Sequence, residues 1–158
     1  MSETMEIHIR TASVEDLNHI LHHRRAMFEE MGFLETAVLA DMQDLSEKYF
    51  SEALRKDTYR GWLAEDLNRQ VVGGSGVVVA DWPGYPGEHH AQRVWIVNMY
   101  TEPAARRCGV ARRLLDTMVT WCRTNKFSAV SLHASSAGRP LYQMVGFEQT
   151  NEMILKLS

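Results

Sequence analysis

Cysteine is scarce: 158 residues hold two, Cys108 and Cys122. They sit near opposite ends of one expected helix, where a rise of 1.5 Å per residue sets them about 20 Å apart, beyond disulfide reach. Without a disulfide framework the expected setting is reducing and cytoplasmic. Charge of one sign is not in excess either. The net charge of -3 supplies no global basic field for nucleic acid or an anionic membrane. No segment is long and apolar enough to span a bilayer. The opening MSETMEIHIR has no apolar run of the signal-peptide kind, and Ser2 stands where myristoylation needs glycine. There is no Gly-Lys-Ser/Thr P-loop. Gly73, Gly74 and Gly76 lie inside a β-branched run rather than between a strand and a helix, so they are no dinucleotide fingerprint and instead suggest a bulge or a close backbone approach. His8, His19, His22 and His23 gather near Arg24 and Arg25, but no acidic residue arrives at zinc-motif spacing. They read as a solvated helix face, and no metal is expected.

What is present suffices for a core: 45% of residues are hydrophobic and 9% aromatic. No repeat or linker interrupts the chain, so residues 1–158 read as one domain. Arg93 to Cys122 organises the rest. Val94, Trp95, Ile96, Val97, Met99 and Tyr100 form an apolar, β-prone run that Pro103 ends. A small basic turn follows, Ala104 to Gly109. From Val110 the period is helical, with Val110, Leu114, Met118 and Cys122 on one face. A strand, a tight Arg/Gly loop and a helix suit an anion. The first turn of a helix has unpaired N–H groups and a partial positive charge. Gly109 lets a ligand approach the backbone, and Arg106, Arg107, Arg112 and Arg113 lie around it. The natural ligand is a phosphate or pyrophosphate. Cys108 has no evident base beside it and reads as a small loop residue.

The loop Arg106-Arg107-Cys108-Gly109-Val110-Ala111 fits Arg/Gln-x-x-Gly-x-Gly/Ala. Downstream come Leu132-His133-Ala134-Ser135, then Gly138-Arg139-Pro140-Leu141-Tyr142, then Val145-Gly146-Phe147. In this order the two segments resemble the acyl-CoA site of the GNAT superfamily of N-acyltransferases, and they cover most of residues 93–148.

Around them the pattern gives a strand at Met5–Arg10, a helix from Val14 to about Met31 capped by Ser13, and a helix at about Leu39–Lys56. Strands follow at Tyr59–Asp66 and Gln70–Ala80, then a long loop at Asp81–Gln92. After the central helix come a strand at Ala129–Ala134, a short helix at Gly138–Val145 and a last strand at Gln149–Leu157. The order β-α-α-β-β-β-α-β-α-β fits a layered α/β or α+β fold. The resemblance implies a mixed, mostly antiparallel sheet with helices on both faces.

It also implies an activity: N-acetyl transfer from acetyl-CoA to a primary amine of a small molecule or peptide, by direct attack on the thioester. The alternative is a non-catalytic acyl-CoA sensor. Carried over residue by residue, Met99, Tyr100 and Thr101 would face the pantetheine arm. The amides of Arg107, Cys108, Gly109, Val110, Ala111 and Arg112, beside Arg106, would hold the pyrophosphate. Ser135 would assist the arm, and Tyr142 would protonate the leaving thiolate. The first two helices and their loop would wall the acceptor, bringing in Phe28 and Glu35. Asp81 and Trp82 of the long loop could cover it, and Trp95 could meet an apolar or cationic amine. Trp95 and Val97 occupy the positions where several members carry a base, and neither accepts a proton. Glu35, Asp81 or Glu88 would then serve, or water alone. The implied partners are acetyl-CoA and an amine, with no nucleic acid and no membrane, and with a homodimer allowed.

Overall fold

The computed structural model describes residues 4–157, so Ser2 lies outside it. Strand β1 spans His8–Thr11. A capping box at Ser13 starts a 3-10 turn, Val14–Asp16. There Ser13 Oγ accepts from the Glu15 amide, while the Asp16 carboxylate accepts from the Ser13 amide. Helix α1, Leu17–Glu30, continues from it, and Gly32 follows with φ +99. Helix α2 spans Thr36–Lys56. Strands β2 (Tyr59–Glu65), β3 (Val71–Asp81) and β4 (Gln92–Thr101) come next. A 3-10 turn at Pro103–Ala105 leads to α3 (Val110–Thr124), then β5 (Ser131–Leu132) and α4 (Arg139–Val145).

The sheet order is β1-β2-β3-β4-β5. Its first three pairings are antiparallel and β4–β5 is parallel. Helix α3 buries Leu114, Leu115 and Met118 against Val77, Val94 and Ile96, and Tyr142 of α4 joins the same cluster. Ile20 of α1 and Phe50 and Ala53 of α2 pack with Tyr59 in a second cluster, which Val78 and Val97 flank. The mixed, mostly antiparallel sheet with helices on both faces matches the expectation.

Three expectations fail. The strand read at Ala129–Ala134 shrinks to Ser131–Leu132. The last strand, Gln149–Leu157, does not form: these residues are irregular and exposed, Met153 at 94% and Leu155 at 82%. Their apolar content favours a strand, but a strand needs a ladder partner. No backbone hydrogen bond ties residues 148–157 to another described residue. The solvated helix face is also corrected. His23 is 2% exposed and stacks near Tyr100, with ring centroids 5.4 Å apart. Burial lowers its pKa to about 4, so it is neutral.

The glycine run in β3 is a close approach. A Cβ on Gly76 would overlap the ring and hydroxyl of Tyr59. Tyr59 cannot swing aside, because it is 2% exposed and packed on Phe50 at 4.7 Å. Gly76→Ala is therefore expected to cost about 2 kcal/mol of stability through overpacking. Urea unfolding checks this, and an unchanged midpoint would show that Tyr59 yields.

Candidate active site

The site begins where β4 stops being an ordinary strand. Gly74 pairs with Tyr100 and Gly76 with Val97, so β4 carries one extra residue there. Asn98 lies in this bulge with φ +64, a conformation that asparagine tolerates better than most residues. Its side chain fixes the bulge: Nδ2 donates to the Ile20 carbonyl at 3.1 Å. On the other side β5 pairs only at Trp95 and Ile96. From Val97 to Thr101 the β5-side edge of β4 is therefore without a strand partner. Met99, Tyr100 and Thr101 lie on that open length.

The chain then enters the Arg/Gly loop. Arg107 has φ +60, and Gly109, the residue before α3, has φ +84. The amides of Arg107 through Arg112 take no backbone partner among the described residues. This is an unsatisfied donor array at the positively polarised end of a fifteen-residue helix. No heavy atom lies within 4 Å of an ideal Cβ on Gly109, so the approach to the loop is open.

The arginines are less free than their clustering suggests. Arg106 Nε donates to the Thr101 carbonyl at 2.9 Å, and Nη2 reaches Glu30 at 2.5 Å. Arg112 pairs with Asp116 at 3.1 Å. Arg113 donates to the Ile7 carbonyl at 2.7 Å and so ties α3 to the N-terminal segment. Arg107 alone of the four has no side-chain partner among the described residues, and it is exposed. Cys108 is half-buried, its thiol on the Arg106 carbonyl at 3.3 Å, and Cys122 is buried. Val110 is buried in the core, and Ala111 is partly covered.

Helix α4 brings the second segment to the same face of the sheet. Tyr142 is 8% exposed and packs edge-on to Phe147 with centroids 5.8 Å apart. Desolvation raises its pKa above the usual tyrosine value, so the hydroxyl is a proton donor at neutral pH. Ser135 Oγ accepts from the Gly138 amide at 3.1 Å, which holds the start of α4 and leaves the hydroxyl proton to donate elsewhere.

A cavity of about 500 Å³ opens on the opposite face, between α1, α2 and the sheet. Val38, Met42, Leu45 and Tyr49 of α2 line it, with Val78 of β3 and Val97 of β4 as its floor. Arg24 of α1 and Asp41 and Ser46 of α2 are its polar groups. Val97 connects the two regions, since it lines the cavity and begins the unpaired edge of β4.

The residues expected at the acceptor are not gathered there. Phe28 is nearest, with the Arg24 guanidinium 5.1 Å from its ring centre. Glu35 precedes α2 and is exposed. Asp81 pairs with Gln92 at the far end of β3, and Trp82 lies under Arg93 at 4.6 Å. The loop between them is tied toward the end of α3, where Glu88 accepts from Ser128 and His90 meets the Asn125 carbonyl at 2.8 Å. Trp95 stacks on His133 at 5.0 Å and lies outside the cavity lining. The second helix is expected to wall the acceptor, but Arg24 and the individual lining residues of α2 carry no acceptor assignment in the sequence. A signal was present: Val38, Met42, Leu45 and Tyr49 form a second apolar stripe at helical spacing, beside the buried Leu39, Ser46, Phe50 and Ala53.

Among the described residues no helix is long and apolar enough to cross a membrane, and no three metal-capable side chains converge. Known proteins share this architecture. A GCN5-related N-acetyltransferase from Ralstonia eutropha superposes with a TM-score of 0.88 at 29% identity, covering 96% of this chain and 99% of that one. A predicted acetyltransferase from Clostridium acetobutylicum, solved with acetyl-CoA, gives 0.85 at 27% identity, covering 97% and 96%. Human N-acetyltransferase 8 is 27% identical over 123 residues, which is 76% of this chain and 50% of that protein. The chain thus spans about half the length of the curated relatives it matches. Residues 17–147 match the profile described as the Acetyltransferase (GNAT) family, and with this match over most of its length the chain belongs to that family.

Proposed function

We propose that this chain is an N-acetyltransferase, transferring acetyl from acetyl-CoA to a primary amine of a small molecule or peptide by direct attack on the thioester. The observation that carries the reading is the run of unpartnered amides from Arg107 to Arg112, set just after an unpaired length of β4. The loop fits a pyrophosphate: a donor array, a glycine with open space and a free Arg107. The unpaired edge at Met99 to Thr101 fits an extended arm with amide groups, which can take strand-like hydrogen bonds. The relative solved with acetyl-CoA supports the same choice.

When bound, acetyl-CoA supplies an electrophilic thioester carbon. The residues then have separable tasks. The loop amides, with the Arg107 side chain beside them and Arg106 bracing the loop onto Thr101, hold the phosphates, with Ser135 as a further donor to the arm. Tyr142 keeps its proton at neutral pH and delivers it to the leaving sulfur as the carbon–sulfur bond breaks and the carbon–nitrogen bond forms. The attacking amine must be neutral. Deprotonating a lysine-like amine at pH 7 costs roughly 4.6 kcal/mol, an α-amine about 1 kcal/mol. Neither Trp95 nor Val97 can take that proton, so an amine of low basicity with water as relay suits this site best. The same absence favours a second reading, a non-catalytic acyl-CoA sensor. Mixing the protein with acetyl-CoA and a panel of amines separates them. Free CoA released in proportion to acetylated amine supports the transferase, and tight binding with no release supports the sensor.

On the same proposal residues 1–158 are one such domain in a reducing, cytoplasmic setting, which suits two free cysteines, and the chain forms a homodimer. The irregular, exposed segment Glu152–Leu157 is partly apolar and has no ladder partner among the described residues, and the short β5 forms the sheet's edge. A second copy's segment would supply the missing strand. Light scattering at tens of micromolar protein is expected to give twice the chain mass, falling to one chain mass in Ile154→Lys/Leu155→Lys. A wild type of single mass removes the dimer.

A further inference from the structure

Among the described residues Arg24 is a cation without an anion. It lies partly buried on α1, facing the cavity beneath β4. Its Nε donates to Ser46 Oγ at 3.0 Å, and its Nη1 donates to Asn98 Oδ1 at 3.0 Å. The guanidinium plane stands over Phe28 and Phe50, 5.1 and 5.6 Å from their ring centres. No carboxylate forms an ion pair with it among the described residues, and desolvation lowers its pKa. Asp41 lines the same cavity but makes no ion pair with Arg24. Among the described residues Nη2 makes no hydrogen bond, the two that Arg24 donates coming from Nε and Nη1. A guanidinium in such surroundings stays charged, because its unperturbed pKa lies above about 12. A buried charge is expensive unless something pairs with it.

The side chain is also held still. Two neutral acceptors and two aromatic faces leave it one orientation. Both acceptors are fixed in turn, Asn98 by the bulge of β4 and Ser46 by its buried place on α2. A rigid fork with one free arm in a cavity of about 500 Å³ is what binding a ligand carboxylate requires. The remaining wall is apolar, from Val38, Met42, Tyr49 and Val97.

We infer that the cavity takes an acceptor amine that itself carries a carboxylate beside an apolar group, and that Arg24 pairs with that carboxylate. This inference rests on the transferase reading only for the word acceptor; the pairing of a carboxylate with Arg24 stands apart from turnover. Arg24 would thereby set specificity, leaving the amine to reach past Val97 toward the open edge of β4.

The experiment is isothermal titration of N-acetyl-L-phenylalanine and of its primary amide into the full chain saturated with CoA. The pair differs in the carboxylate and contains no titrating amine. The acid is expected to bind about ten-fold or more tightly than the amide, as for a charge-assisted hydrogen bond in a desolvated site. Arg24→Met should erase the preference, and Arg24→Lys should keep part of it. Acetyl-CoA affinity and melting temperature are followed in each variant as controls for folding. Equal affinity of acid and amide for the wild type overturns the inference, as does binding of neither. So does a preference that survives in a folded Arg24→Met. The wild-type comparison needs no variant, so an unfolded Arg24→Met leaves the result readable. Release of CoA with neutral amines and acids alike would keep the transferase and remove the role of Arg24. Selective binding of the acid with no CoA release by any amine would do the reverse.

Discussion

Gly109→Glu is expected to weaken acetyl-CoA binding at least 100-fold while leaving the protein folded. Gly109 sits at φ +84 directly before α3, and nothing lies within 4 Å of its missing Cβ. A glutamate there meets no steric block but brings two penalties. The left-handed backbone costs a non-glycine residue on the order of 1 kcal/mol of stability. The carboxylate then enters the space a pyrophosphate must occupy. It repels the phosphates and competes for the unpartnered amides of Arg107 to Arg112. Charge-assisted hydrogen bonds contribute about 1.5–3 kcal/mol each, so losing two gives the stated factor. Gly109→Ala separates the penalties: it carries the backbone strain without the charge, and its affinity should stay within a few-fold of wild type. Titration of acetyl-CoA into the three proteins, with melting temperatures alongside, decides the matter. An unchanged affinity in a folded Gly109→Glu would mean that the phosphates bind elsewhere.

Tyr142→Phe is expected to lower kcat about 100-fold and to leave the KM for acetyl-CoA within about two-fold, the range typical of losing one general acid. The substitution is conservative in packing, since the ring keeps its place against Phe147. It removes only a hydroxyl whose proton burial retains. A free thiol has a pKa near 8.5, so the departing sulfur takes up a proton at neutral pH. Because the Tyr142 pKa is raised, deprotonation of this residue should produce no falling limb in the wild-type pH–rate profile below about pH 10. Steady-state kinetics with an amine found in the CoA-release screen provides the check. A variant with unchanged kcat would make Tyr142 a packing residue, with water as the proton source.

Much of this molecule is legible in its residues. The strand–loop–helix from Arg93 to Cys122 announces itself because each step has a local cause: a β-prone run, a proline that ends it, a glycine at a left-handed turn and an apolar face at helical period. The capping box at Ser13 is equally local. These features depend on neighbours within a few positions, and periodicity reports such neighbours faithfully.

What failed depends on partners far along the chain. Gln149–Leu157 has the composition of a strand, yet strand formation is a property of pairs, and the described residues give it no edge to join. His23 looks like a solvated helix histidine until β3 and β4 close over it. Asp81 and Trp82 suit a lid in composition, but the loop is anchored at the end of α3, far along β4 from the Arg/Gly loop. The arginines around Gly109 read as a common field, and only the fold shows three of them engaged by Glu30, Asp116 and the Ile7 carbonyl.

The sequence by itself determined the layered α/β class and the placement of the Arg/Gly loop between β4 and α3, because each rests on backbone rules or on a motif of contiguous residues. Only the tertiary structure decided which cations are free. Arg24 and Arg107 look alike in the sequence. Distant side chains make one a half-buried fork held by Ser46 and Asn98, and leave the other an exposed charge on a strained turn. The physical reason is that pairing and desolvation depend on three-dimensional neighbours, here 22 and 74 positions from Arg24 along the chain, which no local pattern encodes.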